Sequence, residues 1–293
     1  MTLDLSKIVA IDVHAHSMVS HEHPELADDE MNQHIVADAK KRWKTDLTTI
    51  SVDESAAYYR DRNMMAVIFT VDSESGLGER RVPNREVLDG ALRNSDVLIP
   101  FASIDPWKGR MGVSEAKDLI AAGVKGFKFH PSIQAFYPND RRAYPLYEVI
   151  AEAGLTALFH SGQTGVGKTS PGGGGVRLKY SNPMFLDDVA ADFPDMSIII
   201  AHPSFPWQQE ALAVALHKQN VYIDLSGWSP KYFPQELVHY SNTLLKHKIL
   251  FGSDFPLMTP DRWIADFEQQ EFRDEVRPLI LKENAAKLFG FTE

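Results

Sequence analysis

"KIVAIDVHAH", residues 7–16, is a nearly continuous run of apolar and β-branched residues that turns polar only at its end. Such a run is too uniformly apolar for a strand with one wet face, and it fits a strand covered on both sides in a parallel sheet. Seven more runs of the same kind follow: "MAVIFTVD" (65–72), "VLIPFASIDP" (97–106), "GVKGFKFHP" (123–131), "GLTALFHSG" (154–162), "MSIIIAHPS" (196–204), "NVYIDLSG" (220–227) and "HKILFGSDFP" (247–256). The intervening segments "SVDESAAYYRDRN", "NREVLDGALRNS", "SEAKDLIAAG", "YPLYEVIAEAG", "PMFLDDVAADFP", "WQQEALAVALHKQ" and "PQELVHYSNTLLK" carry apolar residues at helical spacing, and several stop at Gly, Asn or Pro. Eight strands alternating with helices predict an α/β fold whose simplest closure is a (β/α)8 TIM barrel. An open doubly wound sheet is the runner-up, although no GxGxxG fingerprint follows the first strand. No linker, composition shift or internal repeat divides the chain, so one domain over residues 1–293 is expected.

The bulk composition narrows the partners. The chain has 293 residues, 44% hydrophobic and 24% charged, with a formal charge of −10. That balance suits a globular protein and offers no basic surplus for nucleic acid or an acidic membrane, which leaves a small-molecule substrate as the expected partner. There is no cysteine, which suits the cytoplasm and restricts any metal to nitrogen and oxygen ligands. Neither a signal-type start nor an apolar run of roughly 18 residues is visible, so neither export nor membrane insertion is expected. The oligomeric state is left open, a homo-oligomer included.

One motif points elsewhere. "GQTGVGKT", residues 162–169, matches the phosphate-binding pattern GxxxxGK(S/T) letter for letter. That motif works only where Lys and Thr open a helix whose terminal amides hold the phosphates. Here the chain continues "SPGGGGVRLKY", and four glycines, each about 1 kcal/mol worse than alanine, cannot propagate a helix. The expectation is an irregular loop over the pocket. It is one of two long, polar loops, residues 17–50 and 163–182, that follow strand ends on the side where barrels carry their active sites.

Strand alternation places Asp12, His14 and His16 on one face and Ile11, Val13 and Ala15 on the other. With the apolar set turned to the helices, both histidines would project into the barrel mouth. A lone strand-end histidine is most often a core residue, but here the position recurs. His130 ends the fourth strand, His160 the fifth, His202 the sixth and Asp254 the eighth. Polar metal-type side chains converging on one barrel end, in a chain without cysteine, point to a nitrogen and oxygen site for zinc or a similar divalent ion. Other histidines, such as His21, His23 and His239, lie in loops or on helices and receive no role.

The HxH on strand one, the histidines on strands five and six and the Asp of "GSDFP" together resemble the amidohydrolase superfamily. "GFKFHP", "LFHSG", "IIAHPSFPW" and "KENAAKLFGF" are similar to its amidohydrolase-related branch, which holds aminocarboxymuconate semialdehyde decarboxylase, resorcylate decarboxylases and hydrolases of aromatic breakdown products. The resemblance spans nearly the whole chain. It implies one divalent metal ion, zinc foremost, on His14, His16, His160 and Asp254, with His202 catalytic beside the metal-bound water. Some members hold two metals through a carboxylated lysine or a glutamate on strand four, where this chain has Lys128 and His130. Whether either supports a second metal is left open. Lys128 is expected to pair with Asp12 or to bind a substrate carboxylate.

The chemistry follows in two forms. In hydrolysis, Asp254 takes a proton as metal-activated water attacks a carbonyl, and His202 stabilises the oxyanion or shuttles the proton. In decarboxylation the same ligands would hold a carboxylate while carbon is protonated. Lys168, Arg177 and Lys179 on the glycine loop suit an anionic substrate, and with His130 and Trp228 form the expected substrate contacts. They favour a hydrolase of a lactone, β-keto acid or acyl thioester in aromatic catabolism, with a decarboxylase of an aromatic or muconate-type acid as the alternative. Trp207 and Tyr137 read equally as rim packing. A metal-binding or nucleotide-binding module without turnover is the non-enzymatic reading.

Overall fold

Eight short parallel strands run in sequence order around a barrel. They are β1 (Ala10–His16), β2 (Met64–Phe69), β3 (Leu98–Ala102), β4 (Gly126–Phe129), β5 (Thr156–His160), β6 (Ser197–Ala201), β7 (Val221–Asp224) and β8 (Ile249–Leu250). The structure is a computed structural model that describes residues 5–26, 33, 37, 40–41, 49–78 and 80–291. Most of the long loop 17–50 therefore lies outside the described residues. β8 has only two residues, and closure onto β1 is made just beyond it. Val13 N–H donates to the Phe251 carbonyl (3.0 Å), His16 N–H to the Phe255 carbonyl (2.7 Å), and Asp254 N–H to the His14 carbonyl (3.0 Å).

Two apolar clusters show which way each strand faces. Ile11, Val13, Met65, Val67, Ile99, Leu158, Ile199 and Leu250 pack together inside the barrel. Ala66, Ile68, Phe127, Phe129, Ala157, Phe159, Ile198 and Ile200 face outward and pack with helix residues such as Tyr59 and Tyr147. This arrangement corrects one sequence expectation. Ile11 and Val13 face the lumen rather than the helices, and Asp12 turns to Tyr59. The β1–β2 register pairs Asp12 with Ala66 but Ala15 with Ile68, so three steps on β1 oppose two on β2. This irregularity, a β-bulge, re-aims the strand within one turn of pleat. Above it His14 and His16 enter the mouth, while Ala15 joins the outer cluster.

The helices Val52–Arg60, Asn84–Arg93, Gly109–Ala121, Tyr144–Glu152, Phe185–Asp192, Gln208–His217 and Gln235–Ser241 fall on the seven segments read from spacing, the third beginning earlier. The first is closed by a capping box between Ser51 and Glu54. An eighth, Pro260–Glu268, was not expected; Thr259 caps it and its Trp263 is fully buried. Among the described residues no helix is long and apolar enough to cross a membrane.

Candidate metal centre

The polar residues that end the strands meet at the barrel mouth. His16 Nε2 lies 3.1 Å from Asp254 Oδ1, and His14 Nε2 lies 3.4 Å from the same oxygen. These three present ligand atoms close enough to share one ion. Their placement depends on unusual backbone. Asp254 (φ +73°) and His202 (φ +71°) both adopt the left-handed conformation, which L-residues occupy at a cost of roughly 1 to 3 kcal/mol. Backbone hydrogen bonds hold them there, Asp254 N–H to the His14 carbonyl at 3.0 Å and His202 N–H to Asp224 Oδ1 at 3.4 Å. Between them passes Gly227, also left-handed, where a Cβ would lie 2.7 Å from His202 Nδ1 and 3.2 Å from Asp254 Oδ2. Only glycine fits that approach.

A second set of hydrogen bonds fixes which ring nitrogens are bare, with tautomers assigned from the network. His14 Nδ1–H donates to Asp224 Oδ2 (3.0 Å), leaving Nε2 as the lone pair turned to the mouth. This is the carboxylate–histidine pairing that orients metal-ligating imidazoles. His202 Nδ1–H donates to the Ser226 carbonyl (3.0 Å), so its Nε2 accepts from His160 Nδ1–H (2.9 Å). His160 Nε2 is then a bare acceptor, and it is buried without a partner among the described residues. Two neutral imidazoles and a carboxylate make a donor set that fits a divalent cation, and the orphaned His160 Nε2 lines the same cavity without belonging to that cluster. The residues that would hold it are His14, His16 and Asp254, with His160 adjacent through His202.

The electrostatics agree with that use. Burial lowers the pKa of His14, His130 and His160 well below the ordinary histidine value, which keeps them neutral as ligands must be. Burial works against charge on Asp254, but the hydrogen bond from His16 and the neighbouring rings outweigh it and hold its carboxyl well below the usual range. Lys128 is fully buried, and desolvation lowers its ammonium to about 7 while Asp224 and Asp254 pull the other way. Its Nζ sits 3.1 Å from His14 Nε2. The expected Lys128 pairing with Asp12 is thus corrected: Asp12 lies on the other side of the strand, bonded to Tyr59 (2.8 Å) and Ser253 (2.9 Å).

The cluster forms the floor of a cavity of about 400 Å³. His130 and Lys128 line it, His130 stacked on His160 at 3.7 Å with Nδ1 buried and unpartnered among the described residues. Its walls are apolar at Met18, Val71, Val82, Ile133, Trp228 and Leu257. Gln163 to Thr169 form one side, so Lys168 reaches the cavity, whereas Arg177, Trp207 and Tyr137 are not in its lining. No helix begins at Lys168. Its amide is in a turn (3.3 Å to the Gly165 carbonyl), and Gly172, Gly173 and Gly174 follow at φ 62°, 68° and 61°. The phosphate-motif lookalike is an irregular loop, as its glycines require. Sequence reasoning overlooked Asp224, Ser226, Arg80 and Arg81. Asp224 could have been found, since it ends β7 as the histidines end theirs; Ser226, which bonds the Nδ1 of both His14 (3.0 Å) and His202 (2.9 Å), carried no signal.

A parallel barrel with titratable side chains gathered at the C-terminal ends of its strands is the layout of barrel enzymes. The chain belongs to the amidohydrolase family, which it matches over residues 11–291, and is an enzyme of the amidohydrolase superfamily. Protein fluG of Emericella nidulans is 25% identical over 121 residues, which is 39% of this chain and only 13% of that protein's length. An uncharacterised TIM-barrel protein from Bordetella bronchiseptica superposes with a TM-score of 0.76 at 20% identity, covering 96% of this chain and 98% of that one. 5-Carboxyvanillate decarboxylase from Novosphingobium aromaticivorans, complexed with manganese and 4-hydroxy-3-methoxy-5-nitrobenzoic acid, gives 0.69 at 12% identity over 99% and 98% of the chains. A probable 2-pyrone-4,6-dicarboxylic acid hydrolase from Acinetobacter baumannii, with citric acid bound, gives 0.60 at 17% identity over 97% and 100%. These likenesses establish the barrel.

Proposed function

We propose that the protein is a metal-dependent hydrolase of a carbonyl-bearing anionic small molecule of the lactone, β-keto acid or acyl thioester class. The observation that carries this reading is the division of charge along the cavity. The ligand cluster is at the floor, apolar walls follow, and the exposed cations Lys168 and Arg80 stand at the rim. An anionic group held at the rim leaves a neutral carbonyl for the floor. Arg81 also lines the cavity, but Asp72 (3.0 Å) and Glu115 (2.9 Å) neutralise it.

A divalent ion held by His14, His16 and Asp254, with His160 as the further ligand that the family resemblance implies, would supply Lewis acidity and an activated water. The chain's own groups do the rest. Asp254 Oδ1 accepts the proton from the attacking nucleophile, and the left-handed backbone fixes that oxygen at the floor. His202 has its Nδ1–H anchored on the Ser226 carbonyl and an unprotonated Nε2, so Nε2 takes up the proton that Asp254 has accepted and passes it to the leaving group. Trp228 and Leu257 exclude water from the substrate's apolar body.

A decarboxylase is the second reading, and Lys128 favours it, because an ammonium on the cavity floor would neutralise a carboxylate there. Oxygen labelling separates the two. In water enriched in oxygen-18, the metal-loaded protein acting on lactones, acyl thioesters and hydroxybenzoic acids is expected to place one solvent oxygen in an acid product; release of carbon dioxide without solvent oxygen in the other product would replace the hydrolase reading. The rim is tested separately. Lys168→Ala is expected to raise KM about tenfold while kcat stays within about twofold, as for a contact made equally in ground and transition states. A fall in kcat with KM unchanged would place Lys168 in the chemistry instead.

A further inference from the structure

We infer that Asp12, which faces away from the cavity, is a positioning residue that sets the distance between the two halves of the metal centre. The inference rests on the reading of His14, His16 and Asp254 as ligands. Those residues come from opposite ends of the chain, where β8 has ended at Leu250 and β1 is bulged between Asp12 and Ala15, so that backbone hydrogen bonds from Val13, His16 and Asp254 rather than a continued strand ladder join the two segments. Asp12 adds a side-chain tie across that closure. Its Oδ1 accepts the amide of His14 (3.0 Å) and the amide of Ser253 (2.9 Å), so one oxygen ties the bulge to the residue before Asp254. Its Oδ2 accepts the hydroxyls of Tyr59 (2.8 Å) and Ser253. The Ser253 hydroxyl in turn accepts the amide of Phe255 (3.1 Å), holding the far side of Asp254. Asp12 is fully buried, and each carboxylate oxygen has two donors. A carboxylate that fixes two backbone amides, one on each ligand-bearing segment, controls where the ligands stand without touching an ion. Metal affinity is the property such a residue should govern, as partners of ligands commonly do by 10- to 100-fold.

The test is titration of the metal-free full chain with zinc against a competing chelator, together with the visible spectrum of the cobalt(II) form, whose bands report ligand geometry. Asp12→Ala is expected to weaken zinc binding about 30-fold and to shift the cobalt bands. Asp12→Asn keeps an oxygen for both amides but turns an NH2 to the Tyr59 and Ser253 hydroxyls, and its loss should fall between about threefold and tenfold. Tyr59→Phe removes a donor remote from the bulge and should bind within about threefold of wild type. A folded Asp12→Ala protein with unchanged affinity and spectrum would overturn the inference. If Asp12→Ala does not fold, the comparison of Asp12→Asn with Tyr59→Phe decides, and equal effects of the two would overturn it. Wild-type protein that takes up neither zinc nor cobalt would instead sink the metal reading on which the inference stands.

Discussion

Asp254→Asn is expected to lower kcat/KM by about 1,000-fold, the scale of losing a general base, with the fold intact. Asparagine tolerates the left-handed backbone that Asp254 requires at φ +73°, and its side-chain oxygen can still accept from His16 Nε2. What disappears is the negative charge and the basic oxygen. His14, His130 and His160 are held neutral by burial. They cannot replace that charge, so the affinity for a divalent ion should fall as well. Turnover, bound metal and thermal midpoint measured on one preparation check the argument. Activity within tenfold of wild type at matched metal content would show that Asp254 is neither the base nor an essential ligand.

His202→Asn should cost about 100- to 1,000-fold in kcat with metal content kept. The substitution again respects a left-handed backbone, φ +71°. It removes the imidazole whose Nε2 meets His160 Nδ1 at 2.9 Å and whose Nδ1 is held by Ser226. Because His14, His202 and Asp224 also lie close enough to share an ion, metal analysis is the decisive readout. Metal lost in parallel with turnover would make His202 a ligand rather than a proton carrier.

The barrel was legible because its evidence is repetitive: eight apolar runs of strand length, separated by seven helical segments, admit few topologies. The polar ends of strands one, five, six and eight were legible for the same reason. What escaped the reading is local. A bulge adds one residue to β1 without any mark in the letters, and that single step reverses the faces of Ile11, Val13 and Asp12. The partner of Lys128 was misjudged in consequence, since strict alternation had put Asp12 beside it. Asp224 was passed over because an acid at the end of a buried strand carries no distinctive pattern; its 3.0 Å approach to His14 gives it a partner. Arg80 and Arg81 reach the cavity from a connection whose course no periodicity describes. The irregular loop after the phosphate-motif lookalike was legible because backbone preference, unlike side-chain identity, is strongly written in four glycines.

The apolar lumen has a kinetic meaning. Beneath the ligand cluster, Ile11, Val13, Met65, Val67, Leu158 and Ile199 fill the barrel with exposures of 1% or less, so among the described residues no wet route rises from below. In the proposed hydrolysis, water, the incoming molecule and both departing fragments would therefore pass through the cavity mouth that Gln163 to Thr169 flank. A bound substrate would then be its own stopper. The reacting water would have to be in place before the mouth fills, and the fragment nearer the rim would leave before the one behind it.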